Sequence, residues 1–600
     1  MNARSNEAAG SERRRVDGGR EGVSSRSSEY MVAPTRPGLG EKAVLDRLRE
    51  IDGIEVLRSL SAHAAGPPVL AARMTPGTAL SLRRSSGGAL LVEPDEPLQW
   101  ASAPAGLACA PAVSCALGPG FTTTIQVLSD SEEPLERAEV QLVGRQWQAQ
   151  GITGRDGRVA LTLYGELPET VMEFIIKPRA GHWGLWRNRP RLQADATNVV
   201  ALRPLTEVRE PAWGGRAMGL DRLPPEYRGG GIKIALIDSG VATSHRQLGE
   251  VDKGFAGPGA GEGRSWSQDP MGHGTACAGI IAAAWDTPKV QVVSGVRGYA
   301  SEAELHACKL PACARTSDLV AALDYCMGAG IDLVCVGLGC RRGSTILEQR
   351  IVAAKQRGIG IVAAAGSDGG PVQFPASSPH VLAIGAIGQA GTFPEESPHA
   401  AHAATATAIG GGIFVPAFSC RGPELDLCAP GVAVISCQSP EGYVAGDGTS
   451  LAAPHVAALA ALVLAHHVDF RRDFANRDAR RVERLFQILK ETAQPLGNPV
   501  LTGAGLPRAP LALGLQAQMW TPRAPLGTGV EEMRDALRRA GLFGLDSHEP
   551  PGQQPQRGPA FVAPLPLTPP SPWAMGGRGA EAGLGDLRAA MALAGLSAGR

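Results

Sequence analysis

The sequence predicts an α/β protein: a parallel sheet flanked by helices, preceded by a small βαββαβ unit and a small β-sandwich. Three observations predict it. Over residues 210–515, β-rich apolar runs alternate with helical stretches, the pattern of parallel strands joined by crossover helices. Residues 30–98 carry two helical stretches among four short apolar runs. Residues 116–206 alternate apolar and polar positions between turn signals.

Taken in order, residues 1–29 are polar, charged and rich in Gly and Ser, a composition that predicts disorder. Order is expected from Tyr30. Met31–Ala33 reads as a strand, and Val44, Leu45, Leu48 and Ile51 share one helical face. Ile54–Leu57 and Val69–Ala72 read as strands, Thr78–Ser85 as a helix and Ala89–Glu93 as a last strand. That order is the order of a ferredoxin-like unit. In residues 116–206, Thr123, Ile125 and Val127 alternate with Thr122, Thr124 and Gln126, and Val140/Leu142 and Val159/Leu161/Leu163 do the same. Gly154-Arg155-Asp156-Gly157 supplies turn chemistry, and Phe174–Lys177 and Val199–Leu202 add strands. A sandwich of transthyretin or carboxypeptidase-regulatory type fits this pattern. Within 210–515, strands are expected at Ile232–Ile237, Leu333–Val336, Gly360–Ala365 and Val381–Ile387, with a helix over Ser317–Met327. Residues 516–600 read as a Pro/Gly-rich tail in which Met533–Leu542 echoes Leu587–Leu596 as two short helices.

Composition bounds the function. Six hundred residues imply two to four folded units, and 44% apolar residues suffice for globular cores. The 58 basic and 58 acidic residues cancel, so no long-range field draws nucleic acid or an anionic membrane, and neither is an expected partner. Eleven cysteines without paired spacing read as reduced thiols. The N-terminus lacks the apolar stretch of a secretory signal, and Val456–Ala465 is too short to cross a bilayer. The expected compartment is the cytoplasm.

Three constellations carry chemistry. The run Ile232–Ile237 delivers Asp238 at the end of a buried strand, with Gly240 allowing a sharp exit. His273 lies among small residues in GHGTACAG (272–279), which lets the ring face a cleft. Ser450, in GTSLAAPHVA (448–457), opens a long apolar helix, with Pro454 in the first turn and backbone N–H groups favouring negative charge. Singly, Asp238 reads first as a helix cap or turn residue, while His273 and Ser450 read equally well as a structural histidine and an N-cap serine.

Together, in the chain order Asp, His, Ser, they resemble the active-site signatures of the subtilase family. FSCRGP (418–423), LCAPG (427–431), FPA (374–376) and GAGLP (503–507) extend the resemblance over residues 210–515. The resemblance implies a serine endopeptidase: Ser450 as nucleophile, His273 as general base and Asp238 as the group that orients the imidazole. It implies a protein or peptide substrate paired as an added strand with Gly337, Leu338 and Gly339, Gly337 standing where the family has Ser. The opposite wall, residues 311–316, looks shortened. Where the family's oxyanion Asn is expected, Ala364-Ala365-Gly366-Ser367 offers Ser367, a shorter donor.

The resemblance further implies that residues 30–98 are a propeptide-type domain, the chain's own intramolecular chaperone and inhibitor. Cleavage of such a zymogen is expected near Trp100–Cys115 or Pro204–Trp213. No cofactor follows from the residues. Calcium is common in the family, but no acidic loop here gives it a numbered site, and no metal ligands are assigned. Cys277 reads either as a mercurial-sensitive thiol or as a small buried residue. Residues 389–417, longer than the family's connection, are expected to form a flexible surface insertion bearing His399 and His402. The alternative function is a pseudoprotease, the same fold serving as a peptide-binding scaffold.

Overall fold

The computed structural model describes residues 26–36, 38–60, 67–102, 120–205, 212–261, 263–285 and 296–515. The expectations for residues 1–25, for the tail helices and for most of both candidate cleavage segments lie outside them.

The N-terminal unit runs β1 (Ser28–Pro34), α1 (Glu41–Arg49), β2 (Glu55–Ser59), β3 (Leu70–Met74), α2 (Pro76–Ser85), β4 (Leu90–Pro94) and β5 (Gln99–Trp100). Strands β2-β3-β1-β4 form one antiparallel sheet. β1 starts two residues before the expected Tyr30. Its alternation divides two cores: Tyr30 and Val32 face α1 and α2 with Val44, Leu48 and Leu82, while Met31 and Ala33 join the core of the large α/β domain. Burial on both faces explains why the strand reads as a continuous apolar run.

The sandwich pairs two sheets: β7 (Glu139–Val143), β8 (Gln148–Ile152), β10 (Glu173–Lys177) and β11 (Leu185–Asn188) against β6 (Gly120–Ser129), β9 (Arg158–Tyr164) and β12 (Thr197–Leu202). Phe121, Ile125, Val127, Val140, Leu142, Leu161 and Phe174 fill the space between them. β8 and β11 are additions to the expected strands. β8 contributes no fully buried residue, so it has no apolar alternation to read.

The large domain is built on seven parallel strands, in the order β14 (Lys253–Ala256), β15 (Glu304–Lys309), β13 (Lys233–Asp238), β16 (Leu333–Val336), β18 (Gly360–Ala364), β19 (Leu382–Gln389), β22 (Leu427–Pro430). The short β17 (Leu338–Gly339) follows β16, the hairpin β20 (Thr407–Gly410) and β21 (Ile413–Val415) extends β19, and β23 (Val434–Cys437) pairs with β24 (Tyr443–Gly446). Helices α3 (Trp213–Met218), α4 (His273–Ala282), α5 (Thr316–Ala329), α6 (Thr345–Gln356), α7 (Pro398–Ala404), α8 (Thr449–His466) and α9 (Ala479–Glu491) complete it. α8 is apolar on every side, a pattern that fits a buried helix. By length and composition it would cross a bilayer, longer than the sequence suggested, but it is 89% buried inside the domain.

Two carboxylates fasten the N-terminal unit to this domain. Asp95 accepts from Thr316 Oγ1 and Ser317 N, both at 2.9 Å, capping α5. Glu93 accepts from Thr345 N at 3.0 Å and from Ser344 Oγ at 2.8 Å at the start of α6. Negative charge at a helix N-terminus meets unpaired N–H groups and the positive end of the dipole.

The insertion at 389–417 is the main correction. Instead of a flexible surface loop it forms α7, β20 and β21, and α7 receives the sandwich. Trp186 N donates to Glu396 O at 3.1 Å, Arg187 pairs with the Glu396 carboxylate at 3.1 Å, and Ala401 packs against Ile175 and Trp186. A second seam joins the loop after β10 to the β23–β24 hairpin: Gly181 N donates to Tyr443 O at 2.8 Å and Gln438 Nε2 to Arg179 O at 3.0 Å. Insertion and sandwich bury each other's apolar surface, which neither segment reveals alone.

Candidate active site

Asp238 is the last residue of β13, His273 the first of α4 and Ser450 the second of α8, so the parallel sheet's C-terminal edge gathers all three. His273 Nδ1 is 2.6 Å from Asp238 Oδ1, and His273 Nε2 is 2.8 Å from Ser450 Oγ. Glycine makes the approach possible: a side chain at Gly274 would collide with Gly240 O, and one at Gly448 would meet Ser450 Oγ at 2.9 Å. Burial alone lowers the basicity of the His273 imidazole. The charge and hydrogen bond of Asp238, helped by Asp269, outweigh it and raise its pKa above the ordinary value.

Asp269 is the supporting residue that sequence reasoning missed. Its Oδ1 accepts from Gly272 N and Ser239 Oγ, both at 2.9 Å, and its Oδ2 from Thr275 N at 2.8 Å and Thr275 Oγ1 at 2.7 Å. One buried carboxylate thus ties the start of α4 to the loop leaving β13. An Asp four residues before a helix-opening His was the available signal.

The cleft holds the chain's own residues. β5 pairs antiparallel with β17, Trp100 opposite Leu338 and Gln99 opposite Gly339. On the other wall Leu98 N donates to Ala314 O at 2.8 Å and Trp100 Nε1 to Ala312 O at 3.3 Å. Pro97 is bridged to Arg315, so the short segment 311–316 lines the other side of this groove. The Trp100 ring stands edge-on to His273, centroids 5.6 Å apart. Ala101 N donates to Gly337 O at 3.0 Å, and Ala101 O accepts from Ser450 N at 3.2 Å and Ser367 Oγ at 2.7 Å. A peptide carbonyl therefore rests between two donors beside Ser450.

Ser367, despite its short side chain, reaches this oxygen. Thr449 N donates to Ser367 Oγ at 3.0 Å and Thr449 Oγ1 lies 3.1 Å from it, leaving the Ser367 proton for Ala101. At Gly337 a Cβ would collide with Asp238 Oδ2 as the carboxylate stands here, so a side chain at this position would make that carboxylate shift. Cys277 is fully buried, its Sγ 3.3 Å from Ser450 O, and burial pushes its thiol pKa well up. His399 and His402 are buried rather than exposed. His399 Nδ1 donates to Asp447 at 2.8 Å and His402 Nε2 lies 3.5 Å from it. Asp447, three residues before Ser450, also accepts from Ala433 N at 2.7 Å, and these partners hold its pKa below the usual carboxylate range against burial.

Among the described residues, one group has metal-ligand spacing: Asp238, His273 and Cys277. Imidazole and thiol beside a single carboxylate do not fit calcium, which takes six to eight oxygens.

The subtilase family matches residues 229–505. Subtilisin DY of Bacillus licheniformis is 32% identical over 288 residues, 47% of this chain and 90% of that protein. Subtilisin E of Bacillus subtilis is 32% identical over 47% of this chain and 65% of its own length. M-protease of Shouchella clausii is 33% identical over 53% and 72%. Identity at this level, carried across nine-tenths of a relative, makes the conclusion plain: the chain belongs to the subtilase family.

Proposed function

We propose that the chain is a serine endopeptidase made as a zymogen, acting through Asp238, His273 and Ser450, and that the first bond it cuts is its own Ala101–Ser102. One observation carries this reading: the Ala101 carbonyl oxygen accepts from Ser450 N and Ser367 Oγ while β5 pairs with β17 as a substrate strand would. A scaffold has no use for a carbonyl held between two donors beside a serine that is itself hydrogen-bonded to histidine.

The chemistry follows from the distances. Ser450 Oγ attacks the Ala101 carbonyl carbon as His273 Nε2 takes its proton, and the electron pair moves to an oxyanion between Ser450 N and Ser367 Oγ. His273 returns the proton to the Ser102 nitrogen, the C–N bond breaks, and Ala101 remains as an ester on Ser450. Water, deprotonated by His273, hydrolyses the ester. Asp238 keeps the imidazole in the tautomer that both steps need. Residues up to Ala101 are the propeptide in this reading, of ferredoxin-like type and fastened by Asp95 and Glu93, and the sandwich stays with the protease.

N-terminal sequencing of purified protein tests this, with Ser450→Ala alongside. The wild type is expected to yield a chain beginning at Ser102, and Ser450→Ala to remain uncut. A fully active chain still carrying Met1, or a new terminus within 204–213, refutes the assignment.

A further inference from the structure

A cavity of about 1110 Å³ opens beside Ser450 on the side where the chain leaves the held carbonyl, for Ser102, His273 and Ser450 all line it. Its opposite wall belongs to the sandwich, which lies outside the residues matched by the family, and includes Arg137, Lys177, Arg179 and Glu139. Three cations thus face one anion. The catalytic-side carboxylate in the lining, Asp447, is already satisfied by His399, His402 and Ala433 N. Arg137, Lys177 and Arg179 form no ion pair among the described residues. The end of the wall is tied down, because in the loop after β10 Arg179 O accepts from Gln438 Nε2 and Gly181 N donates to Tyr443 O.

We propose that the sandwich is a substrate-selecting wall on the leaving-group side of the cleft, where Arg137, Lys177 and Arg179 recognise aspartate and glutamate side chains downstream of the scissile bond. The inference rests on the endopeptidase reading and adds a substrate class to it: extended polypeptide segments acidic after the cut. Arg137 and Arg179 are exposed and Lys177 is half-buried, so their joint pull on a carboxylate is a cleft-lining field that salt weakens. The chain's own sequence after Ser102 has no Asp or Glu before Gly120. Self-cleavage, an intramolecular event, therefore proceeds without the wall and leaves a segment that the cations do not retain, freeing the cavity for an acidic substrate.

Two internally quenched peptides test the idea with the full-length, self-processed protein. Both carry Leu-Gln-Trp-Ala before the bond and Ser after it. One continues with Asp and Glu, the other with Asn and Gln. The wild type is expected to cleave the acidic peptide with a kcat/KM about fivefold or more above the neutral one at low salt, the excess shrinking as ionic strength rises. In the variant combining Arg137→Gln, Lys177→Gln and Arg179→Gln, that ratio is expected to fall to about one. Equal cleavage by the wild type, or a ratio that survives in the variant, overturns the proposal. A p-nitroanilide of the same four residues has nothing downstream of the bond and so reports the catalytic centre alone. If it too is untouched and no Ser102 terminus forms, the endopeptidase reading fails and takes this proposal with it.

Discussion

Ser367→Ala isolates one hydrogen bond in the proposed chemistry. The Ala101 oxygen has two described donors, Ser450 N at 3.2 Å and Ser367 Oγ at 2.7 Å, and the substitution removes the shorter. As the bond to Ser450 forms, that oxygen becomes an anion, and a hydrogen bond to a charged acceptor contributes about 1.5–3 kcal/mol. At about 1.4 kcal/mol per tenfold, turnover should fall roughly 10- to 150-fold, below the upper end of about 10³ known for loss of such a donor. KM should change little, because the neutral carbonyl of bound substrate gains less from the same donor. The substitution also strips Thr449 N of its acceptor at 3.0 Å, costing about 1 kcal/mol of stability. Active-site-titrated kcat and KM, measured with a thermal melt, separate the two effects, and Ser367→Thr, which keeps a hydroxyl, should recover part of the rate. A kcat within about twofold of wild type, with a raised KM, would refute the oxyanion role.

Other perturbations touch the same machinery. In the wild type the acid limb of kcat/KM should lie above about pH 6.5, the ordinary histidine value, because a protonated His273 cannot accept the Ser450 proton and Asp238 raises its pKa. Asp238→Asn should move that limb to lower pH and reduce kcat by about 10⁴, and an unmoved limb contradicts the carboxylate's role. Gly337→Ala, whose Cβ would collide with Asp238 Oδ2, should lower kcat by about 10² or more while the melting temperature changes little. A kcat within threefold of wild type would show that the carboxylate has room to move. Asp269→Ala removes the acceptor of four hydrogen bonds and should cost about 2–4 kcal/mol in denaturant unfolding, with self-processing slowed; a loss under about 1 kcal/mol counts against its role as hub.

The parts legible in sequence are those whose cause is local. Leu333–Val336 is a strand in sequence and structure alike, because a buried parallel strand must be apolar on both faces. The glycines around Asp238, His273 and Ser450 are readable for a similar reason: backbone approaching within van der Waals distance of a reacting group excludes a Cβ, and the exclusion is written in the residue itself. Asp269 left a weaker trace, since an acidic residue before a helix is common and only its four partners mark it out.

What the sequence alone determined, then, was the alternating strand–helix pattern and the three motifs. Tertiary structure decided what occupies the cleft: the family resemblance left Trp100–Cys115 and Pro204–Trp213 as equal candidates, and only the fold seats the Ala101 carbonyl at Ser450, a contact between residues more than three hundred apart. It also decided that His399 and His402 are buried. Their segment is polar enough to read as a loop, and only the sandwich docking on α7 and the carboxylate of Asp447 give those imidazoles a dry place with a partner. Local sequence specifies which conformations a segment can adopt, whereas burial is conferred by surfaces that come from elsewhere in the chain.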